Sequence, residues 1–67
     1  MFVKIRGTKA GSAGEALFIV NVDAVKSIEI FIDAKILYLF DDPKGIVVRD
    51  EDFIKLEKML EAKNTIG

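Results

Sequence analysis

Hydrophobic positions follow two regimes that meet at Asp50. Before it, the apolar stretches are short, rich in Val, Ile, Phe and Tyr, and broken by Gly, Pro, Asn or Asp; after it, residues 51–63 carry a helical pattern. Residues 2–6 alternate, with Val3 and Ile5 on one side and Lys4 and Arg6 on the other, the period of two expected of a half-buried strand. Residues 16–20 form a continuous apolar run that reads as a strand covered on both faces. Residues 25–31 and 35–40 read as a hairpin turning at Asp33 and Ala34, and residues 46–49 as a short last strand. Three breaks separate these elements. Residues 7–14 hold three glycines among small residues and predict a loop. Asn21 and Asp23 bring side chains that bond nearby backbone, the chemistry of a turn. Asp41-Asp-Pro-Lys-Gly predicts a further turn, because Pro presets φ and Gly tolerates the left-handed region.

The helix is marked at its start. Asp50 is placed to cap it, and Glu51 and Asp52 put negative charge where the helix dipole favours it. Phe53, Leu56 and Leu60 recur on one side, with Ile54 and Met59 widening the stripe; Glu51 and Lys55 stand four apart in the favourable order. Asn64 is the expected C-terminal cap. The prediction is a single α+β domain over residues 1–67: a curled, mainly antiparallel sheet of about five strands with one C-terminal helix. The alternative is a small SH3-like or PH-like barrel capped by that helix.

A hairpin turning at Asp33 and Ala34 sets Phe31 opposite Ile36, Ile30 opposite Leu37 and Ile28 opposite Leu39. Directly opposed residues share a face. One face then holds Ile28, Ile30, Leu37 and Leu39. The other holds Phe31, Ile36, Tyr38 and Phe40 with Ser27 and Glu29, and a last strand adds Ile46 and Val48 to it. Both faces are apolar, and one helix covers only one. Either the N-terminal strands curl over the second face or another copy of the protein does, so Phe31, Ile36, Tyr38, Phe40, Ile46 and Val48 are the candidate interface.

Size leads to the same expectation. Chains below roughly 70–80 residues seldom gain enough from one core and lean on disulfides, metals or oligomerisation. With no Cys and no His among 67 residues, disulfides and the usual zinc ligands are excluded, which leaves self-association, supported by a hydrophobic fraction of 51%. No apolar run approaches the ~18 residues of a membrane span, and residues 1–7 lack the features of a secretory signal. The expected setting is soluble and cytoplasmic, with no membrane partner.

Charge and candidate chemistry change this picture little. Ten basic and eleven acidic residues give a net charge of −1, unlike the basic footprint of a duplex binder. The first fourteen residues nevertheless hold Lys4, Arg6 and Lys9 without an acid. With Phe2 and Phe18 they form a candidate single-strand nucleic-acid platform, on which bases stack and cations follow phosphates; the plainer reading is an edge strand protected by charge. The glycine loop lacks the Gly-Lys-Ser/Thr ending of a P-loop and leads into a strand, so it reads as a connection. Asp41, Asp42, Asp50, Glu51 and Asp52 do not follow calcium-loop spacing, and no metal or other cofactor is expected. Ser12, Ser27 and Thr8 lack a recognisable base partner, so no catalytic residue is assigned and the chain is not expected to be an enzyme.

Residues 18–29, Phe-Ile-Val-Asn-Val-Asp-Ala-Val-Lys-Ser-Ile-Glu, are followed by Ile36-Leu-Tyr-Leu and by Gly45-Ile-Val-Val-Arg-Asp-Glu-Asp-Phe. Over residues 17–60 this pattern resembles the FlbD-like family, small bacterial proteins associated with flagella and swarming, with similar short chains in phage genomes. Shared features are the Asn-x-acid-x-aliphatic-x-x-Ile-Glu segment, a hydrophobic strand, a glycine turn and a last strand leading into a helix. The longer N-terminal glycine loop and the Asp-Asp-Pro-Lys-Gly turn depart from it. The resemblance implies a small sheet-plus-helix protein, regulatory or phage-encoded, that acts through protein contacts; it carries over no catalytic residue.

Overall fold

A computed structural model describes the backbone of residues 1–64 and the side chains of residues 1–62; the expected cap at Asn64 lies outside the described side chains. Five strands form one antiparallel sheet: β1 (Phe2–Lys9), β2 (Ala16–Asn21), β3 (Val25–Ile30), β4 (Lys35–Leu39) and β5 (Asp42–Val48), followed by the helix α1 (Asp50–Asn64). Their spatial order is β2-β1-β5-β4-β3. The protein is an α+β domain, a five-stranded open sheet with one C-terminal helix.

The connection between the edges shows why the sheet curls. β2 and β3 are the outermost strands, yet only a 3-10 turn, Val22–Ala24, joins them. Across a flat sheet the edges would stand about 19 Å apart, at ~4.8 Å for each of four gaps. Four Cα steps from Asn21 to Val25 reach at most about 15 Å. The sheet must therefore bend, and the turn is fastened inside the bend: Val22 N–H donates to the Met1 carbonyl at 2.8 Å and Phe40 N–H to the Ala24 carbonyl at 3.0 Å. The two edge strands do not pair with each other, so the barrel alternative is not realised.

The core lies on the concave, helix-covered face. Val3 and Ile5 of β1, Val20 of β2, Leu37 of β4, and Ile46 and Val48 of β5 meet Val22, Phe53 and Leu56 there. Met59 and Leu60 pack at its margin, whereas Ile54, expected in the stripe, is exposed because it lies about 100° round the helix from Phe53.

Several boundaries differ from the sequence expectation, each for a local reason. β1 runs on through Gly7 to Lys9, because Gly7 serves two partners: it pairs with Ala16 of β2 and with Val48 of β5. A Cβ there would overlap the Val47 carbonyl oxygen, so glycine marks a close strand approach, not a loop. The loop begins at Ala10 and turns at Gly11 and Gly14, with φ of 86° and 98°. The β3–β4 hairpin closes across residues 31–34, with Phe31 N–H donating to the Ala34 carbonyl at 2.7 Å. Ile30 consequently opposes Lys35 and Ile28 opposes Leu37. That shift of two leaves Ile28, Ile30, Leu37 and Leu39 on one face as expected.

The Asp-Asp-Pro-Lys-Gly segment is a correction of greater consequence. The chain reverses earlier, at Phe40 and Asp41, and Asp42 already opposes Leu39. Pro43, Lys44 and Gly45 are absorbed as an irregularity within β5, held locally by Lys44 N–H donating to Asp42 Oδ1 at 3.0 Å. Ile46 then opposes Leu37 and Val48 opposes Lys35, which turns both towards the helix.

Candidate interaction surface

Ile46 and Val48, expected on the second face, are core residues only 3% and 4% exposed. Phe31 and Phe40 are exposed, but they sit in the connections at opposite ends of β4 and do not share a surface. Ile36 and Tyr38 do lie on the second face, half-buried. They lean over Gly45, where an added Cβ would stand 2.5 Å from Ile36 Cγ2 and 3.0 Å from Tyr38 Cε1. The Tyr38 hydroxyl pairs with the Glu29 carboxylate, which together with burial raises its pKa above the ordinary value.

The larger uncovered area lies on the other side of this face, where sequence reasoning did not look. By alternation from Val3, Ile5 and Val20, the side chains of Phe2, Leu17 and Ile19 point away from the helix. They are 66%, 60% and 66% exposed. Leu17 opposes Arg6 and Ile19 opposes Lys4, while Val47 of β5, also exposed on this face, opposes Thr8. The available signal was the run 16–20: a continuous apolar stretch in an edge strand has one covered face only, so its alternate residues must protrude.

Two of the three candidate cations are engaged. Arg6 donates from Nε and Nη2 to the two Asp52 oxygens, both at 3.1 Å, and from its backbone N–H to Oδ2 at 2.6 Å. These bonds hold the Asp52 carboxyl at a pKa of about 2, well below its ordinary 3.8. The arrangement has a topological cause. β1 and β5 part after Gly7 and Val48; Arg49 N–H still donates to the Arg6 carbonyl, but the Arg49 carbonyl accepts Phe53 N–H as the helix begins. The Arg6 N–H thus loses its strand partner, and Asp52 replaces it. Helix formation starts with the Arg49 carbonyl, which leaves Asp50 one position inside the helix, where it accepts from Lys35 Nζ at 3.0 Å. Lys9 pairs with Asp42, whose pKa is lowered by that lysine and by the Lys44 N–H. Lys4 has no carboxylate partner among the described residues. Glu15 ends the glycine loop on Arg49 at 2.7 Å.

Among the described residues no cluster of three or more potential metal ligands occurs, and no helix is long and apolar enough to cross a membrane. No family model matches this chain, and no curated protein or solved structure matches it.

Proposed function

We propose that this protein is a small, non-enzymatic interaction module of the cytoplasm that associates with copies of itself through its uncovered sheet face. The observation that carries the reading is the contiguous exposure of Leu17 and Ile19 beside Phe2. Apolar patches left open on a small domain mark sites of association. Burying them offers a 67-residue chain stabilisation that one core supplies sparingly. The likeness of residues 17–60 to FlbD-like proteins belongs to the same proposal, since it implies action through protein contacts.

The alternative, a single-strand nucleic-acid binder using Lys4, Arg6 and Lys9, is less favoured because Arg6 and Lys9 already face carboxylates. Size-exclusion chromatography with light scattering, at low and high salt, tests both. We expect a salt-resistant multimer free of nucleic acid, reduced to a monomer by Leu17→Lys combined with Ile19→Lys. A wild-type monomer overturns the reading. Nucleic acid that co-elutes at low salt and is lost at high salt transfers support to the alternative.

A further inference from the structure

The two outer edges of the sheet are unlike. β3 carries Lys26 and Glu29 and has a register irregularity between Val25 and Ser27, the kinds of feature that discourage edge-to-edge pairing. β2, Ala-Leu-Phe-Ile-Val-Asn, has no charge, no proline and an unbroken register against β1. It is an edge without a guard.

The backbone direction along that edge can be worked out. In an antiparallel strand the N–H and C=O of one residue point to the same side, and sides alternate. Arg6 N–H goes to Asp52 and its carbonyl receives Arg49 N–H, so both point away from β2. Arg6 with Leu17 is therefore a non-hydrogen-bonded pair, as is Lys4 with Ile19. The N–H and C=O groups of Leu17 and Ile19 consequently point outwards, away from β1, while Phe18 and Val20 carry the ladder to β1.

We infer that two copies join by antiparallel pairing of β2 with β2 across a two-fold axis, making one continuous ten-stranded sheet. This deepens the self-association proposed above and rests on it. A two-fold normal to the sheet keeps like faces together and centres the pairing on Phe18 or on Ile19. In the first register Leu17 opposes the second copy's Ile19; in the second, Ile19 opposes its own equivalent. Either way the outward groups of Leu17 and Ile19 find partners and the protruding side chains meet across the junction. A second copy suits this edge because the strand brings no charge of its own to oppose, so the pairing creates no like-charge contact.

Amide hydrogen exchange on the wild-type protein, followed by NMR at low and high concentration, tests the geometry. Leu17 and Ile19 amides should exchange freely in the monomer and slow by at least about tenfold as the dimer forms. Phe18 and Val20, bonded to β1 in either state, serve as internal controls. A dimer in which Leu17 and Ile19 still exchange freely overturns the edge pairing and leaves self-association intact. A protein that stays monomeric at every concentration overturns both.

Discussion

The two sides of β1 place the same strand in different chemical surroundings. On the covered side Val3, Ile5 and Gly7 are buried, and Asp52, the one buried charge among the described residues, has both oxygens held by Arg6. On the uncovered side apolar Phe2 and basic Lys4 and Arg6 stand beside Leu17 and Ile19. The covered side has the composition of a core. The uncovered side is more apolar than an ordinary solvent face and more charged than a core, which is why the proposed self-association is placed there.

The contrast is broken most forcefully from the covered side. Leu56 is fully buried in the core cluster with Val22 and the sheet residues, and Leu56→Ala should cost about 2–5 kcal/mol in urea unfolding. Ile54, exposed on the same helix, should cost much less when changed to Ala, within about 0.5 kcal/mol. Equal losses would mean that the helix packs through a different stripe.

Much of this division was legible in the chain. The 3.6-residue spacing of Phe53, Leu56 and Leu60 identified the packed stripe, and the alternation of residues 2–6 identified the covered side of β1. The grouping of Ile28, Ile30, Leu37 and Leu39 survived even though the hairpin register was displaced by two, because faces repeat every second residue. The site was less legible. Asp-Pro-Lys-Gly has every local mark of a turn, and the structure uses it as a kink inside β5; moving the reversal to Phe40 and Asp41 took Ile46 and Val48 from the proposed interface into the core. The Arg6–Asp52 contact spans 46 positions and exists because β5 leaves β1 to start a helix, a fact of topology that no local pattern encodes.

That contact yields the second test. Asp52 is held at a pKa of about 2 by the Arg6 side chain and N–H, so the folded state binds the proton less readily than the unfolded chain. Its stabilisation is complete above the ordinary 3.8 and is lost as pH falls through about 2. Asp52→Asn should weaken the fold at neutral pH by less than Leu56→Ala does. It should also flatten the decline in urea midpoint over that acid window, an effect that simple loss of packing would not produce. An acid decline as steep as the wild type's would show that Asp52 contributes nothing through its charge.

The last contrast is between two glycines that face opposite sides of the sheet. At Gly7 an added Cβ meets backbone, the Val47 carbonyl oxygen, with Ile46 Cγ2 at 3.0 Å behind it; the carbonyl cannot move without disturbing the β1–β5 ladder. Gly7→Ala should therefore cost about 1–3 kcal/mol, as overpacking of a filled site does. At Gly45 the obstacles are side chains, Ile36 Cγ2 at 2.5 Å and Tyr38 Cε1 at 3.0 Å, and the Ile36 methyl moves only by a turn about its stiff χ1. Gly45→Ala should cost about 1 kcal/mol, at the low end of overpacking, since side chains on the uncovered face can give way where a backbone carbonyl cannot. The size of the Gly45 effect is itself informative about assembly. If Ile36 is pinned because a second copy stacks on the whole face, Gly45→Ala will cost as much as Gly7→Ala and its cost will rise with protein concentration. If copies join along β2 instead, Ile36 keeps its freedom, and the two substitutions stay apart at every concentration.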